Sequence, residues 1–204
     1  AALGSDTLRA SSVATIQGMI ADDAGSKVEN FNGSLHVVVY DKVQKITSQN
    51  NHNDGTITFS DRPNTLFSGK VVVTNGIFSF TFMLPKDINY GSGRINYYAQ
   101  DDINDYEAQG YFENFTVGGT SINTVEDTEG PIIQLYLNST NFISGNKVNE
   151  TPLFIATLSD NNGINTAGSG IGHDLMLTVD KDTYQSLIIN DYYQENVDSY
   201  NEGI

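Results

Sequence analysis

Apolar residues recur at every second position along most of this chain. That period commits it to strands, because only an extended backbone turns successive side chains to opposite faces. From Gly33 to Tyr40, Leu35, Val37 and Val39 share one face and His36, Val38 and Tyr40 the other. Both faces are mostly apolar, which predicts a central strand of its sheet. Phe78, Phe80 and Phe82 alternate in the same way and are predicted core. They follow Thr74-Asn75-Gly76, and Asn-Gly tolerates the positive φ that a type I′ turn needs at both central positions. A hairpin of Gly69–Val73 with Ile77–Leu84 is therefore expected, ended by Pro85. No helix of ordinary length is evident.

Further strands are predicted over Val13–Ile20, Ile95–Ala99 and Gly110–Val117, with a short edge strand over Thr56–Ser60. Asp41–Asp54 reads as a polar loop. That makes about seven strands at the spacing of a sandwich. Gly118-Gly119-Thr120-Ser121 punctuates the chain. We therefore expect an all-β protein of two tandem immunoglobulin-like or fibronectin-like β-sandwich domains, residues 1–125 and 126–204. In the second, strands are predicted over Ile132–Leu137, Lys147–Leu158, Leu175–Val179 and Gln185–Asn190, with Pro152 making part of one an edge or bulge. This unit ends well short of the ~100 residues of a full sandwich. The expectation is a truncated domain whose unpaired edge invites pairing with another copy, a dimer through that edge.

Composition removes several functions. Among 204 residues there is no Cys, so no disulfide, thiolate metal site or cysteine nucleophile lies within the chain. The net charge of −15 argues against nucleic acid held on a basic face. The charge is uneven: residues 1–125 carry 13 acidic and 8 basic side chains, residues 126–204 carry 12 and 2. A solvated acidic surface or cation-holding loops would both fit. No apolar run reaches the ~18 residues of a transmembrane helix. The N-terminus lacks the pattern of a signal peptide and an initiator Met, which reads as a piece of a longer precursor.

Candidate sites are weak individually. Asp160, Asn162 and Asp174 flank a Gly-rich loop, and their oxygens suit Ca²⁺. The spacing is not that of an EF-hand, and Asx with Gly is also what turns use. His36, His52 and His173 show no ligand spacing. No G-x-S-x-G elbow occurs, and Gly168-Ser169-Gly170 reads as a flexible loop. Asp101-Asp102 and the Asp180/Asp182 pair could be catalytic carboxylates, but neighbours on a strand face opposite ways. Gly91-Ser92-Gly93-Arg94 resembles a phosphate loop without the helix that should follow. Tyr90, Tyr97-Tyr98, Tyr106, Tyr111-Phe112 and Tyr192-Tyr193 could stack on sugars, or pack at strand ends with the hydroxyl in water. No catalytic or cofactor-binding residue is assigned.

A resemblance spans nearly the whole chain. It rests on Ile16-Gln17-Gly18-Met19-Ile20-Ala21-Asp22, Asn30-Phe31-Asn32-Gly33, Asp61-Arg62-Pro63-Asn64, Asn75-Gly76-Ile77-Phe78 and Leu84-Pro85-Lys86-Asp87. In the second unit it rests on Asp127-Thr128-Glu129-Gly130-Pro131, Leu158-Ser159-Asp160, Gly163-Ile164-Asn165-Thr166 and Gly170-Ile171-Gly172-His173-Asp174, the last two being the most specific. This order resembles the C-terminal β-rich region of the PorU family, the gingipain-like sortases of the type IX secretion system of Bacteroidetes. The resemblance implies a cysteine peptidase domain upstream with a Cys–His dyad, none of which carries over here. It implies a non-catalytic accessory part at the outer membrane surface, whose partners are its own peptidase domain and secreted cargo or secretion-system subunits. A free-standing surface module for carbohydrate binding or adhesion is the alternative reading.

Overall fold

The structure is a computed structural model that describes residues 2–3, 7–86, 88–121, 128–165, 174–180 and 185–204. It is an all-β sandwich, with one short 3-10 turn at Asn190–Tyr192 among the described residues. One layer is a four-stranded antiparallel sheet, ordered β11 (Tyr106–Phe112), β10 (Arg94–Asp101), β4 (Gly33–Tyr40), β7 (Thr65–Val73). The other is formed by β1 (Ala2–Leu3), β3 (Val13–Met19) and β8 (Ile77–Met83). A small sheet closes one side: β12 (Thr116–Thr120) pairs in parallel with β2 (Thr7–Ala10) and antiparallel with β9 (Gly91–Ser92).

The predicted alternation is what fills the space between the layers. Leu35, Val37 and Val39 are fully buried, and Phe78, Phe80 and Phe82 face them from the opposite sheet with Ile16. Phe67 of β7 stacks on Phe80 and Phe82, ring centroids 5.6 and 5.2 Å away. Opposite Phe78 on β3 stands Gly18, where a Cβ would run into the Phe78 ring. The aromatic lies over the glycine that no side chain could replace without moving it.

The Asn75-Gly76 turn forms, with φ of 51° and 71°. The strands it joins do not make the expected hairpin. After the single bridge Thr74–Ile77 they part, β7 into one sheet and β8 into the other. Neighbouring loops take the outer backbone groups of the turn: Gly76 N–H donates to Phe31 C=O and Ile20 N–H donates to Gly76 C=O. The corner is thus bonded to both flanking loops while each strand finds its own ladder.

Other expectations need correction. The polar stretch after Asp41 contains a strand, β5 (Gln44–Thr47), which pairs with β6 (Thr58–Asp61) in an exposed ribbon. Gly110–Val117 is not one strand but parts of β11 and β12, broken at 113–115. Gly118 and Gly119 lie inside β12. Only Phe154–Ser159 of the strand predicted from Lys147 is extended in a ladder, as β14, pairing with β13 (Ile132–Leu137). The residues before it, with Pro152, find no strand partner. The two later strands shrink to β15 (Met176–Leu177) and β16 (Leu187–Ile188). A last strand, β17 (Glu202–Gly203), adds to β14.

Burial is concentrated early. Among the described residues, Leu158 is the one buried apolar side chain beyond residue 125. On the sheet β13-β14-β17, Ile132, Ile133 and Leu135 remain exposed.

Two outcomes follow. A Cβ at Gly76 would run into the Val28 carbonyl oxygen at a positive φ. Gly76→Ala should therefore cost about 1–3 kcal/mol by denaturant titration. Asp101 is buried, and its carboxylate accepts from Asn32 N–H, Asn104 Nδ2 and the N–H groups of Asn104 and Ile103. These bonds, that from Asn32 N–H foremost, hold its pKa down to about 2. Its contribution is complete above the ordinary carboxylate range of about 4 and is lost as pH falls through the folded value. Asp101→Asn should lower the melting temperature at neutral pH, and thermal scans should show that gap narrowing below about pH 4.

Candidate functional site

Paired residues across an antiparallel ladder share a face. On the four-stranded sheet the outer face therefore carries Tyr40, Val38 and His36 of β4, Arg94, Asn96 and Tyr98 of β10, and Gln109 and Tyr111 of β11. Tyr98 and Tyr111 are exposed. The Tyr98 hydroxyl bonds to Glu107, which raises its pKa. Burial, and then nearby Lys70, push the His36 pKa below its ordinary value.

A cleft of about 400 Å³ opens at one end of the face, lined among others by Tyr40, Val43, Arg62, Arg94, Asn96 and Glu113. Two of the chain's three arginines meet there. Arg62 Nη1 donates to the carbonyls of Asp41 and Ser92, tying its own loop to the end of β4 and to β9. Glu113 Oε1 accepts from Arg94 Nη1 at 3.0 Å and lies 3.4 Å from Arg62 Nη2. Arg94 is also aligned by Asn96 Oδ1 and lies 4.3 Å over the Tyr111 ring. The result is a planar, preorganised polar wall beside an exposed aromatic.

The sequence gives little signal for this cluster. Arg62 sits in a loop, and Gly91–Arg94 reads as a phosphate loop. Instead Gly91–Ser92 is a strand, and Gly91 is glycine because a Cβ would press on Lys42. The alternation of β10, which starts one residue before the predicted Ile95–Ala99, places Arg94, Asn96 and Tyr98 on one face.

The remaining candidates are scattered. Asp160 and Asn162 line a cleft of about 270 Å³ with Glu129, Asn201 and Glu202. Asp160 Oδ1 is taken by Asn162 N–H. Asp174 lines a different cleft, its Oδ1 accepting from Asn190 Nδ2. The structure thus does not bring Asp160 and Asp174 together. Among the described residues no group of three or more His, Asp or Glu is gathered as a metal would need. Asp101 is a turn-closing carboxylate, and Asp102 accepts from Gln100 Nε2. His52 lies in an exposed loop. His173, Gly168-Ser169-Gly170 and Asp182 lie outside the described residues. Tyr90, Tyr106 and Tyr192 are exposed, whereas Tyr97 turns inward onto Phe78 at 5.6 Å.

No family model matches this sequence, and no curated protein matches it. Among solved structures it is similar to dimeric latent PorU from Porphyromonas gingivalis. The match has 32% sequence identity and a TM-score of 0.60, and covers 99% of this chain. It covers 19% of the PorU chain, so this chain spans about a fifth of that protein's length. No helix among the described residues is long and apolar enough to cross a membrane. Over nearly its whole length, the chain is similar to one region of PorU.

Proposed function

We propose that this chain is a non-catalytic accessory β-region of a PorU-like cysteine peptidase, a sortase of type IX secretion at the outer membrane surface. It supports the peptidase domain and contacts cargo or partner subunits. The similarity to PorU over 99% of the chain carries this reading. The lack of any Cys agrees with a part that holds no cysteine nucleophile. The units 1–125 and 126–204 then have separate tasks. The first, with its immunoglobulin-like core, is the rigid support. The second offers Ile132, Ile133 and Leu135 on a thin sheet, and a partner or a second copy covers them. Reading the gene upstream of Ala1 tests the idea: a peptidase domain with Cys and His is expected. An unrelated domain there, or a stop codon in frame, contradicts it.

A second reading is a surface module for carbohydrate. Tyr98 and Tyr111 on one face, with Asn96 next to both and Arg94 over the Tyr111 ring, favour it. If it holds, a glycan array finds binders, and Tyr111→Ala weakens them by about tenfold, as loss of a stacking ring of ~1–1.5 kcal/mol requires. An array without binders removes this reading and leaves the first untouched.

A further inference from the structure

One edge of the four-stranded sheet is β7, and an unpaired edge is a template for another strand. Here the chain covers its own edge. Residues 194–204 fold back on themselves through the pair of bonds between Gln194 and Ile204 and the bond from Asn196 N–H to Glu202 C=O. This hairpin lies along β7. Glu195 N–H points to Ser68 C=O at 3.4 Å, Asp198 N–H donates to Lys70 C=O at 2.9 Å, and Val72 N–H donates to Asp198 Oδ1 at 2.9 Å. Three bonds hold a strap along a nine-residue strand.

Glu195 anchors the strap in an unusual way. It is 6% exposed, and its Oε2 is buried without a hydrogen-bond partner. A Cβ at Gly69 would run first into the Phe67 ring and would also press on the Glu195 Cβ, so the glycine leaves room for both. The Tyr193 hydroxyl faces the carboxyl, but neither group closes a well-formed bond. Among the described residues no cation pairs with it. Lys70 of β7 and His36 of β4 are paired on the opposite face of the sheet from Gly69. Asp198 and Glu202 of the strap are themselves acidic. A buried carboxyl in such surroundings belongs there only as the neutral acid.

We propose that residues 193–203 are a proton-controlled strap: neutral Glu195 docks it on β7, and ionisation of Glu195 lifts it and exposes the backbone groups of Ser68, Lys70 and Val72. Burial raises the Glu195 pKa to about 8 from its ordinary 4.5. Docking is therefore at full strength below the ordinary value and weakens as pH rises through the folded one. The self-bonded hairpin carries β17, which is laddered to β14 through Leu158–Gly203 and Ser159–Glu202, and Asp160 N–H donates to Asn201 C=O, so the strap lifts from β7 together with that sheet; to the core between the two main layers it contributes Tyr200.

Hydrogen exchange on the whole chain, corrected for intrinsic rates, reads this directly. From about pH 6 to about pH 9, protection at Val72 and Asp198 should fall by roughly tenfold or more, while Ile16 and Phe80 keep theirs. In Glu195→Gln the protection at Val72 and Asp198 should be the same at both pH values. The proposal is overturned if the wild-type strap keeps its protection, if Ile16 and Phe80 lose theirs in parallel, or if Glu195→Gln shows the same pH response. Should that variant not fold, the wild-type series alone decides, since a strap that stays protected or a loss shared by the core each sinks the idea.

Discussion

Everything in this fold hangs on how Phe67, Phe78, Phe80 and Phe82 interlock between two sheets. Phe67 comes from β7 and the other three from β8, yet they form one continuous stack. The turn at Asn75-Gly76 connects the two strands covalently, and the stack joins them again through packing. Around it, Leu35, Val37, Val39, Ile16 and Ile95 have no exposed surface. Each such side chain contributes on the order of 1.5–3 kcal/mol through removal from water. The outer face can therefore hold exposed tyrosines and a half-buried histidine that the core does not need. That separation is what leaves it free for recognition.

The sequence announces those parts whose burial is uniform along a strand. β4 and β8 were legible because alternation there is strict and one face is wholly inside. β5 was not, because Gln44–Thr47 pairs with an exposed ribbon and carries no apolar face. The start of β11 escaped for the same reason: Tyr106 to Tyr111 is mostly exposed. The predicted hairpin shows another limit. Local turn chemistry specified the two φ values, but which ladder each strand joins depends on Phe31 and Ile20, far off in sequence. The candidate cleft needs the same long-range information. Arg62, Arg94 and Glu113 meet only because β10 lies beside β4 in a given register. Glu195 had no signal at all in an acidic stretch, since its environment is made by Gly69 from another part of the chain.

Two glycines illustrate how space, more than flexibility, governs this molecule. Gly18 has an ordinary strand conformation and exists to accept the Phe78 ring. Gly203 accepts the Tyr193 ring in a similar manner, since a Cβ there would meet the phenol. In both places a neighbouring aromatic fills the space that a glycine side chain would have taken.

The parallel pairing of β2 with β12 has a kinetic meaning. Thr7 and Leu8 wait for Thr116 and Val117, more than a hundred residues later. Closing so long a loop is slow compared with forming the antiparallel ladders inside it. During synthesis the two main layers can collapse while β2 is still without its neighbour. β2 is then among the last strands of this region to be fixed, and its closure completes the small sheet at the side of the sandwich.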